Sequence, residues 1–149
     1  MKRSKLWALI AGTLLALAVG MALLALLLQL LPPERDASTG EGRRAFLTEL
    51  GWEVDPGSEE CKHVLIPDCG GGVMAEYNAL QRRQGYDLSR YTGKRVAQYS
   101  YRVKNYPGYN GAVYAVLYVS GRRVIGGDVH TAALGGFMHG LARGETDLP

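Results

Sequence analysis

Asp128, His130 and His139 are the residues whose types and spacing come closest to a working constellation. Side chains two apart on a strand point to the same side, so Asp128 and His130 share a face, and His139 can return over the sheet. A carboxylate beside two imidazoles suits general acid–base work or metal binding. The competing reading is two partly buried histidines satisfied by backbone, with Asp128 capping a turn. Cys61, His63 and Cys69 form a second cluster, Cys-x-His-x5-Cys. Zinc needs three or four ligands converging on one point, usually from paired short spacings, and a strand through this segment opposes convergence. Fully extended, residues 61 to 69 span roughly 26 Å, against the roughly 4.4–6.8 Å between Cα atoms that a disulfide allows. Pro67 and Asp68 can fold the end back, so unpaired thiols, a disulfide and a metal site all stay open. Gly70-Gly71-Gly72 lacks the Lys and Ser/Thr of a phosphate loop, and no Ser or Cys sits in a nucleophile elbow. The expectation is therefore no enzyme activity, no metal and no cofactor. The alternative is a small metal-dependent or acid–base hydrolase using Asp128, His130 and His139.

Tyrosines offer a different chemistry. Tyr99, Tyr101, Tyr106, Tyr109, Tyr114 and Tyr118 crowd one short region. Tyr supplies rigid apolar area with a hydrogen-bonding tip, which suits recognition, and it is also an ordinary strand residue. Tyr106 and Tyr109 flank Pro107-Gly108, a turn with Pro preset at its second position, and are expected to be exposed. With Asp128 and His139 they make up the candidate binding set.

The elements that position these residues begin with a long apolar run. Leu6 to Leu31 is 26 residues without a charge, preceded by Lys2, Arg3 and Lys5. A helix of that length spans about 39 Å, more than the roughly 30 Å hydrocarbon core needs. A cleaved signal would have a shorter core and a small-residue site at its end, whereas Ala16-Leu17-Ala18 lies inside this run. The expectation is an uncleaved signal anchor contacting the lipid bilayer through residues 6–31. The basic flank at 1–5 stays cytoplasmic and the C-terminal part lies outside the membrane. Gly12, Ala16 and Gly20 recur every fourth residue, a small-xxx-small stripe that would allow a homodimer through this helix.

Those three basic residues carry the whole net charge of +3, leaving equal numbers of basic and acidic residues from Pro32 onward. A neutral remainder has no electrostatic footprint for nucleic acid. A hydrophobic content of 47% argues against disorder. Residues 32–42, opening Pro32-Pro33, read as a linker. Residues 43–141 read as one α+β domain of two helices packed on one face of an antiparallel β-meander, and 142–149 as a flexible tail.

Within that domain Arg43–Leu50 has Phe46, Leu47 and Leu50 at helical spacing, and Gly51-Trp52 follows as a Schellman ending. Trp52–Val54 and His63–Ile66 read as short strands. Val73–Gln84 is a helix with Val73, Met74, Tyr77 and Leu80 inward and Glu76, Gln81, Arg82 and Arg83 outward. Asp87 caps a single turn through Ser89 and Tyr91. Ala97, Tyr99, Tyr101 and Val103 alternate with polar residues in a strand over Lys94–Tyr106. Ala112–Val119 and Val124–Val129 follow as strands, with Gly126-Gly127 marking a bulge or a close backbone approach. Leu134–Leu141 is a Gly-rich closing segment.

Several of these stretches recur as an ordered set: Phe46-Leu47 before Gly51-Trp52-Glu53-Val54, Tyr77-Asn78 with Leu80-Gln81, and Gly85-Tyr86-Asp87-Leu88-Ser89 with Tyr91 and Gly93-Lys94. Asn105-Tyr106-Pro107-Gly108, Ile125-Gly126-Gly127-Asp128 and Gly136-Phe137-Met138-His139-Gly140 complete it. Over residues 43–141 the chain resembles the domain-of-unknown-function family 4830, small membrane-tethered proteins of clostridial-type Gram-positive bacteria. The Cys61/Cys69 pair and Gly70–Gly72 depart from the family pattern. The resemblance implies an extracytoplasmic domain on a membrane anchor, with no established activity and no catalytic residues to carry over. The functional expectation is a non-enzymatic interaction module in the cell envelope with a protein partner. A structural or regulatory subunit associating through its transmembrane helix is a further alternative.

Overall fold

A computed structural model describes residues 2–30 and 36–144, in two units that divide between residues 34 and 35. The first unit contains helix α1, Lys2–Leu30, whose side chains are described at Ile10 and from 12 to 27. Among these described residues no helix is long and apolar enough to cross a membrane. Ala16 and Gly20 line a shallow apolar groove with Thr13, Leu17, Met21 and Leu24. Gly12 stands on the same helix, where an added Cβ would meet nothing within 4 Å. The side chains of Lys2, Arg3 and Lys5, the prolines at 32 and 33, and the tail from 145 onward lie outside the described residues.

The second unit is α+β, with helices against a five-stranded antiparallel sheet. Helix α2 is Gly40–Glu49 and α3 is Gly72–Arg83. The strands are β1 (Glu60–Leu65), β2 (Arg95–Val103), β3 (Val113–Ser120), β4 (Arg123–Thr131) and β5 (Met138–His139), hydrogen-bonded in chain order. The packed unit begins earlier than the expected boundary at 43. Thr39 accepts the Gly42 N–H at 3.0 Å and so caps α2 ahead of Arg43. Ala37 is buried, its N–H donating to the Arg122 carbonyl at 2.9 Å. At the other end Arg143 donates to the Gly51 carbonyl at 2.7 Å, drawing the start of the expected tail into the fold.

Helix α2 ends as its sequence dictates. Gly51 adopts φ +88°, the left-handed region that a Cβ disfavours. The Gly51 N–H then reaches the Thr48 carbonyl and the Trp52 N–H the Leu47 carbonyl, the two bonds of a Schellman turn. That turn drives Trp52 into the core, where its indole N–H donates to the Leu141 carbonyl at 2.6 Å. Trp52–Val54 is consequently not a full strand: it makes one bridge, Val54 to Val103.

Two cores result, on opposite faces of the sheet. Leu47 and Trp52 pack with Tyr101, Leu117 and Val129. Met74 and Tyr77 pack with Leu88, Val96 and Tyr118. Consecutive strand residues point to opposite sides, so Leu117 and Tyr118 place α2 on the first face and α3 on the second. The expectation of helices on one face is corrected. Helix α3 is also rotated from its expected orientation: Val73 is 81% exposed, while Gln81, expected outward, is 0% exposed. The reason is polar. Gln81 Oε1 accepts the Gly127 N–H at 2.8 Å, and Asn78 binds the Asp87 carboxylate and the Leu88 N–H. Backbone and loop groups that need partners turn this stripe inward.

Candidate functional site

Strand β4 carries the candidate residues, and its pairing is interrupted where the sequence places two glycines. Tyr118 opposes Gly126 while Val119 opposes Val124, so Ile125 is the extra residue of a bulge. A Cβ on Gly127 would sit 2.3 Å from the Val116 carbonyl oxygen, and one on Gly126 would sit 2.9 Å from Gln81 Oε1. The glycines thus let α3 and β3 close on β4, which brings Tyr77 over the following residue, Asp128.

Asp128 is 2% exposed and accepts two hydrogen bonds. One oxygen takes the Tyr77 hydroxyl, and the other lies 2.6 Å from His130 Nδ1. Beside a carboxylate that ring nitrogen carries the proton, leaving Nε2 as the outward nitrogen. The bond from Asp128 raises the His130 pKa above its ordinary value, against the opposing effect of burial. The Tyr77 phenol is held protonated far above its usual range, by burial and then by the Asp128 charge. Tyr77 was not among the residues expected at this site, because it arrives from a helix 51 residues earlier in the chain.

His139 stands elsewhere. It pairs with Val129, whose neighbours 128 and 130 point the other way, so His139 occupies the first face and the Asp128–His130 pair the second. Its Nδ1 lies 2.7 Å from the Gly140 carbonyl oxygen and its Nε2 3.0 Å from the Tyr106 hydroxyl, which occupies both ring nitrogens. The acid–base trio of the alternative reading, Asp128, His130 and His139, is therefore split by the sheet.

Tyr106, expected to be exposed, is 8% exposed. Its ring stacks between Trp52 (5.6 Å) and Phe137 (4.7 Å). A hydroxyl that bonds His139 makes burial affordable for a turn tyrosine. Tyr109 is half-buried edge-on to Phe137, with its hydroxyl 3.1 Å from Thr131 Oγ1. The candidate binding set thus divides, with Tyr106, Tyr109 and His139 in one aromatic cluster and Asp128 across the sheet. Cys61 is exposed and Cys69 buried, both as thiols. Among the described residues no three His, Cys, Asp or Glu side chains gather into a metal-binding group.

Helix α3 covers only part of the second face. Beyond it a groove of about 380 Å³ is lined by Glu60, Lys62, Gln98, Ser100, Tyr114 and His130, with Val116 at its floor and Ala132 beside it. Period-two alternation on four neighbouring strands puts these side chains on one face. Tyr114 opposes His130 directly, with ring centroids 6.2 Å apart. Of the six polar liners the sequence pointed only to His130 and, within the tyrosine group, Tyr114. The signal was present in the polar alternation of β2, where Gln98 and Ser100 follow the strand's wet side. A second groove, of about 460 Å³ and more apolar, runs along α3 past Val73, Tyr77, Leu80 and Met138.

A family model described as Domain of unknown function (DUF4830) matches residues 46–129. No curated protein and no solved structure matches the chain.

Proposed function

The chain belongs to the DUF4830 family, a domain of unknown function, and on that premise we propose that it is a single-pass membrane protein whose second unit is a non-enzymatic binding module outside the cytoplasmic membrane. The membrane part rests on the uncharged run from Leu6 to Leu31 and on Lys2, Arg3 and Lys5 before it. Self-association through Gly12, Ala16 and Gly20 belongs to the same reading.

The binding part rests on one observation, the polar groove around Tyr114 and His130 on the open half of the second face. Its polar side chains stand on strands rather than loops, and Asp128 fixes the His130 ring through its Nδ1. Such a surface is organised before a ligand arrives, which lowers the ordering cost of binding. The occupant is a polar molecule of the cell envelope, since Glu60, Lys62, Gln98 and Ser100 would lose water without compensation against an apolar one. The separation of His139 from the Asp128–His130 pair favours binding over the hydrolase alternative.

A photo-reactive residue in place of Lys62, in the full chain and in intact cells, tests this reading. Glu41, exposed on α2, is the control position. The expected result is an adduct from position 62 and none from 41. Equal yields at both, or no adduct from 62, would overturn it.

A further inference from the structure

Resting on the reading that this groove is a binding site, we infer that its ligand is an uncharged saccharide chain. Three rows of side chains cross the second face: Glu60, Ser100 and Val116; Lys62 and Gln98, ending on Tyr118 beside α3; and Tyr114 and His130, with Arg102 beyond the groove's lining. With strands about 4.8 Å apart, these rows make a long shallow floor rather than a closed pit. A chain fits that shape better than a compact molecule.

The polar groups mix donors with acceptors. Gln98 donates one amide N–H to the Tyr118 hydroxyl at 2.9 Å, which leaves its second N–H as a donor and its carbonyl oxygen as an acceptor. Ser100 and Tyr114 add hydroxyls that serve either way, Lys62 donates, Glu60 accepts, and His130 presents Nε2. Each sugar hydroxyl is donor and acceptor at once, so a border of this kind satisfies it in both roles.

Charge does not select an ion here. Among the groove's own lining residues Glu60 and Lys62 are 3.9 Å apart and offset one another, Asp128 bonds His130 from two residues along the strand, and Arg102 stands outside the lining. The groove therefore has no strong field of one sign with which to hold a bare anion or cation.

The remaining surface is aromatic and aliphatic. Tyr114 and His130 meet at a tilt of 36° over Val116. The C–H face of a pyranose ring is apolar, and a half-exposed tyrosine ring flanked by hydrogen-bonding groups receives such a face.

The test uses the full chain in lipid nanodiscs, isotopically labelled and titrated with a tetramer of N-acetylglucosamine, with polyglutamate and polylysine peptides as charged comparisons. Saturable shifts at Ser100, Tyr114 and His130 with the sugar alone are expected. Tyr114→Ala should weaken binding about tenfold, with Tyr114→Phe retaining most of it. Ser100→Ala, a smaller change, supplies the same comparison if Tyr114→Ala does not fold. Shifts only with a charged peptide, or sugar binding that ignores both the Tyr114 and Ser100 changes, would overturn the inference. A silent sugar titration beside a cross-link from position 62 removes the saccharide and spares the binding module, whereas silence in both removes both.

Discussion

Asp128 Oδ1 lies 2.6 Å from His130 Nδ1, two residues along the same strand. The pair marks the seam of the second face, because Asp128 is shared with Tyr77 of α3 while His130 lines the open groove. A buried carboxylate with two donors holds both neighbours in place, and so ties the helix-covered half of this face to the open half.

That pair has a pH signature. The fold raises the His130 pKa above its ordinary value of about 6.5. A raised value means the folded state favours the protonated ring. The resulting stability is fully present below about pH 6.5 and is lost as pH rises through the folded-state value. The stability gap between the parent and His130→Gln should therefore narrow from pH 6 to pH 9 in urea melts. A gap that widens with rising pH would contradict the assignment.

Gln81 supplies the second prediction. Gln81→Leu leaves the Gly127 N–H, now bonded at 2.8 Å, buried without a partner. The expected cost is about 1–3 kcal/mol. Chemical denaturation measures it, and a loss below about 0.5 kcal/mol, the range of an ordinary surface change, would show that the bond contributes little.

Gly127→Ala is a test of backbone approach. The added Cβ would stand 2.3 Å from the Val116 carbonyl oxygen, a backbone atom that cannot move aside without shifting β3. A loss of about 3 kcal/mol or more is expected, with weaker protection of β3 amides from hydrogen exchange. Unchanged melting and exchange would mean the strands sit further apart than described.

Arg43 is the fourth case. It is buried, bonding Glu59 and the Tyr101 hydroxyl at 2.8 Å each and the Ala37 carbonyl at 2.9 Å, with its guanidinium over the Tyr99 ring. Arg43→Ala should cost about 2 kcal/mol, since it leaves the Ala37 carbonyl without its donor, while Glu59 keeps the Tyr101 hydroxyl. Arg43→Lys should recover less than half, because one ammonium cannot serve acceptors spread around a planar fork. Full recovery by lysine in thermal melts would reduce the site to a single point charge.

The parts of this fold that were legible in the sequence are those set by near neighbours. The Gly51-Trp52 ending and the Asp87 cap depend on residues within a few positions, and both are observed. The alternation expected of Ala97, Tyr99, Tyr101 and Val103 appears in burial only at Tyr101 and Val103, because Val96 is buried on the other face. The interruption marked by Gly126-Gly127 was legible too, with the bulge itself at the preceding Ile125. What escaped depends on partners far along the chain. Gln81 is polar and reads as outward until Gly127, 46 residues away, requires its oxygen. Tyr106 reads as a wet turn residue until His139, 33 residues on, takes its hydroxyl. The shared side of Asp128 and His130 follows from period two, but Tyr77 and the four-strand groove exist only once the meander is assembled. The aromatic cluster of Trp52, Tyr106 and Phe137 thus packs in the first core, and in our proposal recognition is assigned to the other face.

Adduct yield from the photo-reactive residue at position 62, compared in intact cells between the parent and a Tyr114→Ala background, tests that assignment most directly. With both proteins at equal abundance, the yield should fall to the level of the position 41 control when the Tyr114 ring is removed. A yield that stays at the parent level would place recognition away from this groove.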